Sequence, residues 1–171
     1  LERLDAARTG IADLAVTTDV IVGFPGETER DFSDTLEVVA EAGFDSAYSF
    51  IFSPRTGTEA AERHREFVEH PVSVDRFERL QRVLQRSAKL THQARVGRIE
   101  EVLVEGPAKR GEALVTARTR QNKLVHLPTR HDLRAGTYAL ARITDAATHY
   151  LYGELIEVTA PPRHRRRIPV A

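Results

Sequence analysis

The sequence predicts two folds in succession, an α/β segment followed by a small all-β barrel. Three observations carry this. A β-branched run, an amphipathic helix and a second apolar run follow one another in the order of a parallel strand–helix–strand unit. Five short strand-like runs then fall within about sixty residues, separated by turn signals, which is the spacing of an antiparallel barrel of the OB type. Charge divides in the same place: residues 1–97 carry 12 basic and 17 acidic side chains, residues 98–171 carry 13 and 8.

Residues 1–9 read as the end of a helix, with Leu1, Leu4 and Arg8 on successive turns. "AVTTDVIVG" (15–23) alternates and is β-branched, so it predicts a strand with Asp19, Ile21 and Gly23 on one face and Val20 and Val22 on the other. Thr28 with Asp31 makes a capping box for a helix whose apolar face holds Phe32, Leu36, Val39 and Ala40, ending at Gly43. "AYSFIFS" (47–53) is the second strand. The crossover is long enough for parallel pairing, and the residues leave open whether the sheet is open or a closed barrel. Residues 54–72 read as irregular. Ser73 is placed as the cap of a long helix to Val96, with Val74, Phe77, Leu80, Leu84 and 87–90 as its apolar stripe and solvated Arg and Glu elsewhere. After Gly97 the five runs are 99–104, 112–118, 123–127, 138–144 and 149–158, and residues 160–171 read as a basic, disordered tail.

Composition excludes several classes. The 171 residues suit one ordinary domain or two small ones. No apolar run is long enough to span a membrane, and no signal peptide is visible. The absence of cysteine excludes disulfides and any cysteine-ligated cluster held by these residues. The absence of methionine and the opening Leu-Glu-Arg-Leu are expected of a piece of a longer protein. The excess of positive charge after residue 97 suggests polyanion affinity, although Arg163, Arg165, Arg166 and Arg167 supply most of it.

The turn "GFPGET" at the end of the first strand is the first candidate site. A P-loop needs Lys-Ser/Thr after its second glycine, whereas Glu27-Thr28 follows Gly26. A dinucleotide fingerprint needs three glycines, and only Gly23 and Gly26 are present in the turn. Asp19, inside an apolar strand, fits either a polar barrel lumen or a buried, hydrogen-bonded structural acid. In the second half, Arg118, Arg120, Gln121, Asn122 and Lys123 crowd one turn, mixing phosphate-neutralising and base-reading side chains. The competing reading is a solvated hairpin tip. His126 reads as a packed barrel residue, and no nucleophile set or metal-spaced cluster stands out.

"TTDVIVGFPGETERDF", "FDSAYSFIFSPRTGTEAA", the long helix and "RTRQNKLVHL" resemble the radical SAM methylthiotransferase family over about residues 10–158. The resemblance implies that residues 1–96 are the C-terminal part of a partial (β/α) radical SAM barrel with its linking helix 73–96. Residues 97–159 would be a TRAM RNA-binding domain. It implies S-adenosylmethionine as cofactor, with Asp19, Ile21, Gly23, Phe24, Pro25, Gly26, Glu27, Ser53 and Arg55 near it. Ile21 would lie against the adenosyl group, and Gly23 would be glycine because a side chain would fill the ligand's space. It implies two 4Fe–4S clusters ligated outside this chain. The reaction implied is methylthiolation at C2 of an N6-modified adenosine beside the anticodon, and "TRQNKLVH" favours the tRNA branch. The RNA-binding residues implied are Arg118, Arg120, Gln121, Asn122 and Lys123, with a tRNA anticodon stem-loop as partner. A cytoplasmic monomer, inactive as this piece alone, is expected. The rivals are a sibling acting on threonylcarbamoyladenosine or a ribosomal protein, and a stand-alone TRAM RNA-binding protein. Two departures stand out: Thr56 occupies a position usually proline, and "THYLYGEL" differs from the usual His-His-Leu.

Overall fold

A computed structural model describes residues 1–109 and 113–162. The expected disordered tail lies largely outside the described residues, as does the start of the strand expected at 112. The chain divides into two compact units, Leu1–Leu90 and Thr91–Ala171.

In the first unit, helix α1 (Glu2–Gly10) precedes strand β1 (Thr17–Val22). Helix α2 (Glu29–Ala42) then leads to strand β2 (Ser46–Ile51), which pairs parallel with β1. The expected capping box is present: Thr28 Oγ1 accepts from the Asp31 N–H, and the Asp31 carboxylate accepts from the Thr28 N–H. α2 stops at Gly43, whose N–H bonds the Val39 carbonyl. Val22, Phe32, Val39, Leu80 and Leu84 form the core, with Val20, Ala47 and Ile51 packed on it. Ala42 is buried in place of the expected Ala40, which is exposed.

The stretch read as irregular contains a short helix α3 (Glu59–Glu62) and a 3₁₀ turn (His64–Glu66). The long helix α4 runs His70–Gln93, so Ser73 does not cap it. Pro71 sits in its first turn, where a missing N–H costs nothing, and Ser73 is buried inside the helix with Oγ bonded to the Glu69 carbonyl. Leu90, placed in the apolar stripe, is exposed, whereas Arg76, placed on a solvated face, is buried.

The second unit is a closed barrel of β3 (Ile99–Pro107), β4 (Leu114–Thr119), β5 (Leu124–Pro128), β6 (Tyr138–Ala146) and β7 (Leu151–Ala160). Its strand order is β3-β4-β5-β7-β6, with β6 returning to β3. All neighbours are antiparallel except β5 and β7, which pair parallel through Val125–Leu151 and His126–Tyr152. The barrel is therefore mixed where uniform antiparallel pairing was expected. Alternation sends Val102, Val104, Val115, Ala117, Val125, Leu127, Ala139, Ala141, Ile143 and Leu151 inward. Gly153 faces the same interior. A Cβ there would come within 3.0 Å of the Arg142 carbonyl and 3.1 Å of Leu127.

Candidate nucleic-acid interface and strand-end turn

The parallel register sets Ile21 beside Phe50 and Val22 beside Ile51. The residues that follow each strand, Gly23–Glu27 and Phe52–Arg55, therefore lie at one rim. One sheet face packs on the core. The other is bare: Ile21 is 51% exposed, Phe50 51% and Tyr48 74%. Asp19 is on this face and exposed, so the buried structural-acid reading does not hold.

Glu27 organises the turn. Its carboxylate accepts from the Gly23 N–H at 2.8 Å and from Arg76 Nη1 at 2.7 Å, and Arg76 Nη1 also reaches the Glu27 carbonyl at 3.0 Å. The side chains of Arg76 and Glu27 are only 5% and 10% exposed. Arg76 lies over the Phe32 ring at 5.6 Å and Arg79 at 4.7 Å. From the other side, the Gly26 N–H bonds the Glu66 carbonyl, and Phe24 stacks edge-on against Phe52, which meets Phe67. Gly23 has φ +71, and a Cβ on it would stand 2.4 Å from Ser73 Oγ. The approach of α4 by itself requires glycine here, whether or not a ligand also lies against it.

The fit to the implied groups is uneven. Ile21 and the 41% exposed Phe24 offer apolar surface at the rim, and Ser53 and Arg55 are exposed beside them. Pro25 is buried, Gly26 exposed, and Glu27 has its carboxylate occupied within the turn. An iron–sulfur cluster does not fit this chain, which has no cysteine. Among the described residues no cluster of His, Asp and Glu is arranged to hold a metal.

In the barrel, the β4–β5 turn is less basic than its sequence. Arg118 Nε donates to Glu105 at 2.8 Å, and its Nη1 reaches the Asn122 carbonyl and Oδ1. Arg120 is 78% exposed with Nε 3.4 Å from Glu101. Asn122 takes φ +59 and is exposed. Gln121 Oε1 accepts from Arg95, which also holds the buried Glu100 at 2.7 Å. Lys123 departs most from expectation: it is 4% exposed, and its Nζ reaches Thr91 Oγ1 at 3.3 Å. It belongs to the base of the turn, whereas Arg118, Arg120 and Asn122 keep surface at its tip.

A groove of about 690 Å³ adjoins the turn, lined by Glu105, Lys109, Arg118, His126, Tyr150 and Tyr152 among others. His126 was read as packed in the barrel, yet Val125 and Leu127 take the interior and its ring meets Tyr150 at 5.0 Å. Hydrogen bonding with Tyr150 pushes the Tyr152 phenol above its usual range. Sequence reading missed this cluster. The signal was available in "LVHL" and "HYLYGEL", where aromatic rings occupy the outward positions of alternating strands.

A closed five-stranded barrel with a polar, aromatic outer face is the architecture of a small nucleic-acid-binding module, and the family model for the TRAM domain matches residues 93–156. The curated relatives extend the likeness through both units. A tRNA-2-methylthio-N(6)-dimethylallyladenosine synthase of Caldicellulosiruptor saccharolyticus is 42% identical over 156 residues, 91% of this chain and 32% of its own length. Those of Thermoanaerobacter sp. (46% over 163 residues, 92% and 33%) and Corynebacterium jeikeium (42% over 153 residues, 88% and 30%) match similarly. The chain belongs to this methylthiotransferase family and corresponds to the C-terminal part of its members. It spans about a third of the length of the curated relatives it matches.

Proposed function

We propose that this chain is the C-terminal third of an enzyme that methylthiolates C2 of N6-dimethylallyladenosine in tRNA. The observation that carries the reading is identity of 42–46% to named synthases over about nine-tenths of the chain, through the strand-end turn and the barrel alike. Residues 1–96 complete the catalytic barrel, and residues 97–159 grip the RNA. Bound S-adenosylmethionine supplies the radical chemistry. Ile21 and Phe24 offer it apolar surface, with Asp19, Ser53 and Arg55 as polar neighbours. Glu27 and Arg76 hold the turn so that these side chains keep their places. The two 4Fe–4S clusters are ligated by cysteines outside this chain. Arg118 and Arg120 meet the backbone of an anticodon stem-loop, Asn122 meets its exposed bases, and the enzyme works as a cytoplasmic monomer.

The test is a chimera. This chain replaces the matching segment of the C. saccharolyticus synthase, and nucleosides from tRNA are analysed by mass spectrometry after reconstitution. Formation of the methylthio nucleoside is expected. A folded chimera with both clusters loaded and no such product would overturn the reading.

A further inference from the structure

The groove beside the turn has the features of a site for a flat ligand. Its volume, about 690 Å³, lies within the range of small-molecule pockets. Three rings line it: Tyr150 meets His126 at 5.0 Å and Tyr152 at 5.3 Å, both edge-on, and His126 and Tyr152 are 6.1 Å apart. All three residues are half-buried, so each keeps ring surface open. His126 Nδ1 is buried without a hydrogen-bond partner among the described residues. Lys109 and Arg118 stand at the same groove, and among the described residues Glu105 is the one acid that lines it.

We propose that this groove is a stacking subsite for one unpaired nucleobase of RNA, a use that rests on the RNA-binding reading of the barrel and adds a base contact to it. Aromatic faces take any base by stacking. Lys109 and Arg118 serve the adjoining phosphate. A duplex keeps its bases stacked on one another, so the groove selects unpaired nucleotides.

The experiment uses the full chain, a hexa-adenylate RNA and an abasic hexamer with the same phosphates. Tyrosine emission reports directly, because the chain has no tryptophan and two of its four tyrosines line the groove. The intact chain is expected to bind hexa-adenylate roughly five- to hundredfold more tightly than the abasic strand, with quenching. Tyr150→Leu and Tyr152→Leu should each shrink that ratio, and Tyr152→Phe should keep it. Arg120→Ala should weaken both RNAs alike and leave the ratio unchanged. Equal binding of the two RNAs by the intact chain, with ordinary salt dependence, overturns the subsite while the RNA-binding reading stands. Leucine variants that fold by circular dichroism and keep the ratio also overturn it. Binding of neither RNA overturns both.

Discussion

Arg76→Leu is expected to be among the most damaging single changes in the first unit. The guanidinium is almost fully enclosed, bonds the Glu27 carboxylate at 2.7 Å and lies over Phe32. Removing it leaves a carboxylate that is only 10% exposed without its counter-charge. Breaking a buried pair in this way costs about 3–5 kcal/mol, roughly a fifth or more of the stability of an ordinary domain. Arg79 provides the control three residues away. It also covers Phe32 and pairs with Glu29 at 2.7 Å, but Glu29 is 57% exposed and water screens the pair. Arg79→Leu should therefore cost only a small fraction as much. Glu27→Gln keeps an acceptor for the Gly23 N–H, and Arg76→Leu combined with Glu27→Gln removes both buried charges, so the double variant should recover much of the loss. Urea unfolding followed by far-UV circular dichroism measures the cost, and amide exchange at Gly23 reports locally. If Arg76→Leu costs no more than Arg79→Leu, or if Gly23 exchanges at the same rate in both, the pair is not what holds the turn.

Gly23→Ala should destabilise the turn by more than the ~1–2 kcal/mol of a left-handed alanine, because its Cβ also meets Ser73; Ser73→Gly should relieve the excess and leave the backbone part, as read by thermal unfolding. Gly153→Ala pushes a methyl into the Arg142 carbonyl and Leu127, and overpacking of that kind should lower barrel stability by about 1–3 kcal/mol. Lys123→Ala should lower barrel stability without changing the salt slope of RNA binding, whereas Arg120→Ala should flatten that slope by a little under one unit; the opposite pattern in an anisotropy titration would return Lys123 to the interface. Hydrogen bonding to Thr28 holds the Asp31 carboxyl below its usual value, so its support of α2 is present above the unfolded pKa and lost as pH falls through the folded one. The pH dependence of unfolding should accordingly weaken in Asp31→Asn on the acid side.

Local patterns made much of this legible in the sequence. β1, α2 and β2 declared themselves through alternation, a capping box and a terminal glycine, all of which act within a few residues. The barrel strands were legible for the same reason. What local patterns cannot carry is pairing between distant residues. Arg76 looked solvated because its partner Glu27 lies 49 positions away. Lys123 looked available because Thr91 was out of view, and the β5–β7 pairing has no local signature. His126 showed the converse: an inward side chain was assumed, although Val125 and Leu127 on either side already claimed the interior.

The parallel seam also orders events during synthesis. β7 lies last among the barrel strands and touches both β6 and β5, joining Val125 to Leu151 and His126 to Tyr152. Until that strand has left the ribosome, β3 to β6 can form only an open sheet with two free edges. The seam and the aromatic groove must then arise together, because His126 and Tyr152 belong to both. A nascent chain stalled before Leu151 would have every cation of the β4–β5 turn but would lack Tyr152, the ring that the seam sets beside His126. It would be a sticky intermediate for chaperones to shield, drawn to RNA by charge before it could tell unpaired nucleotides from a duplex.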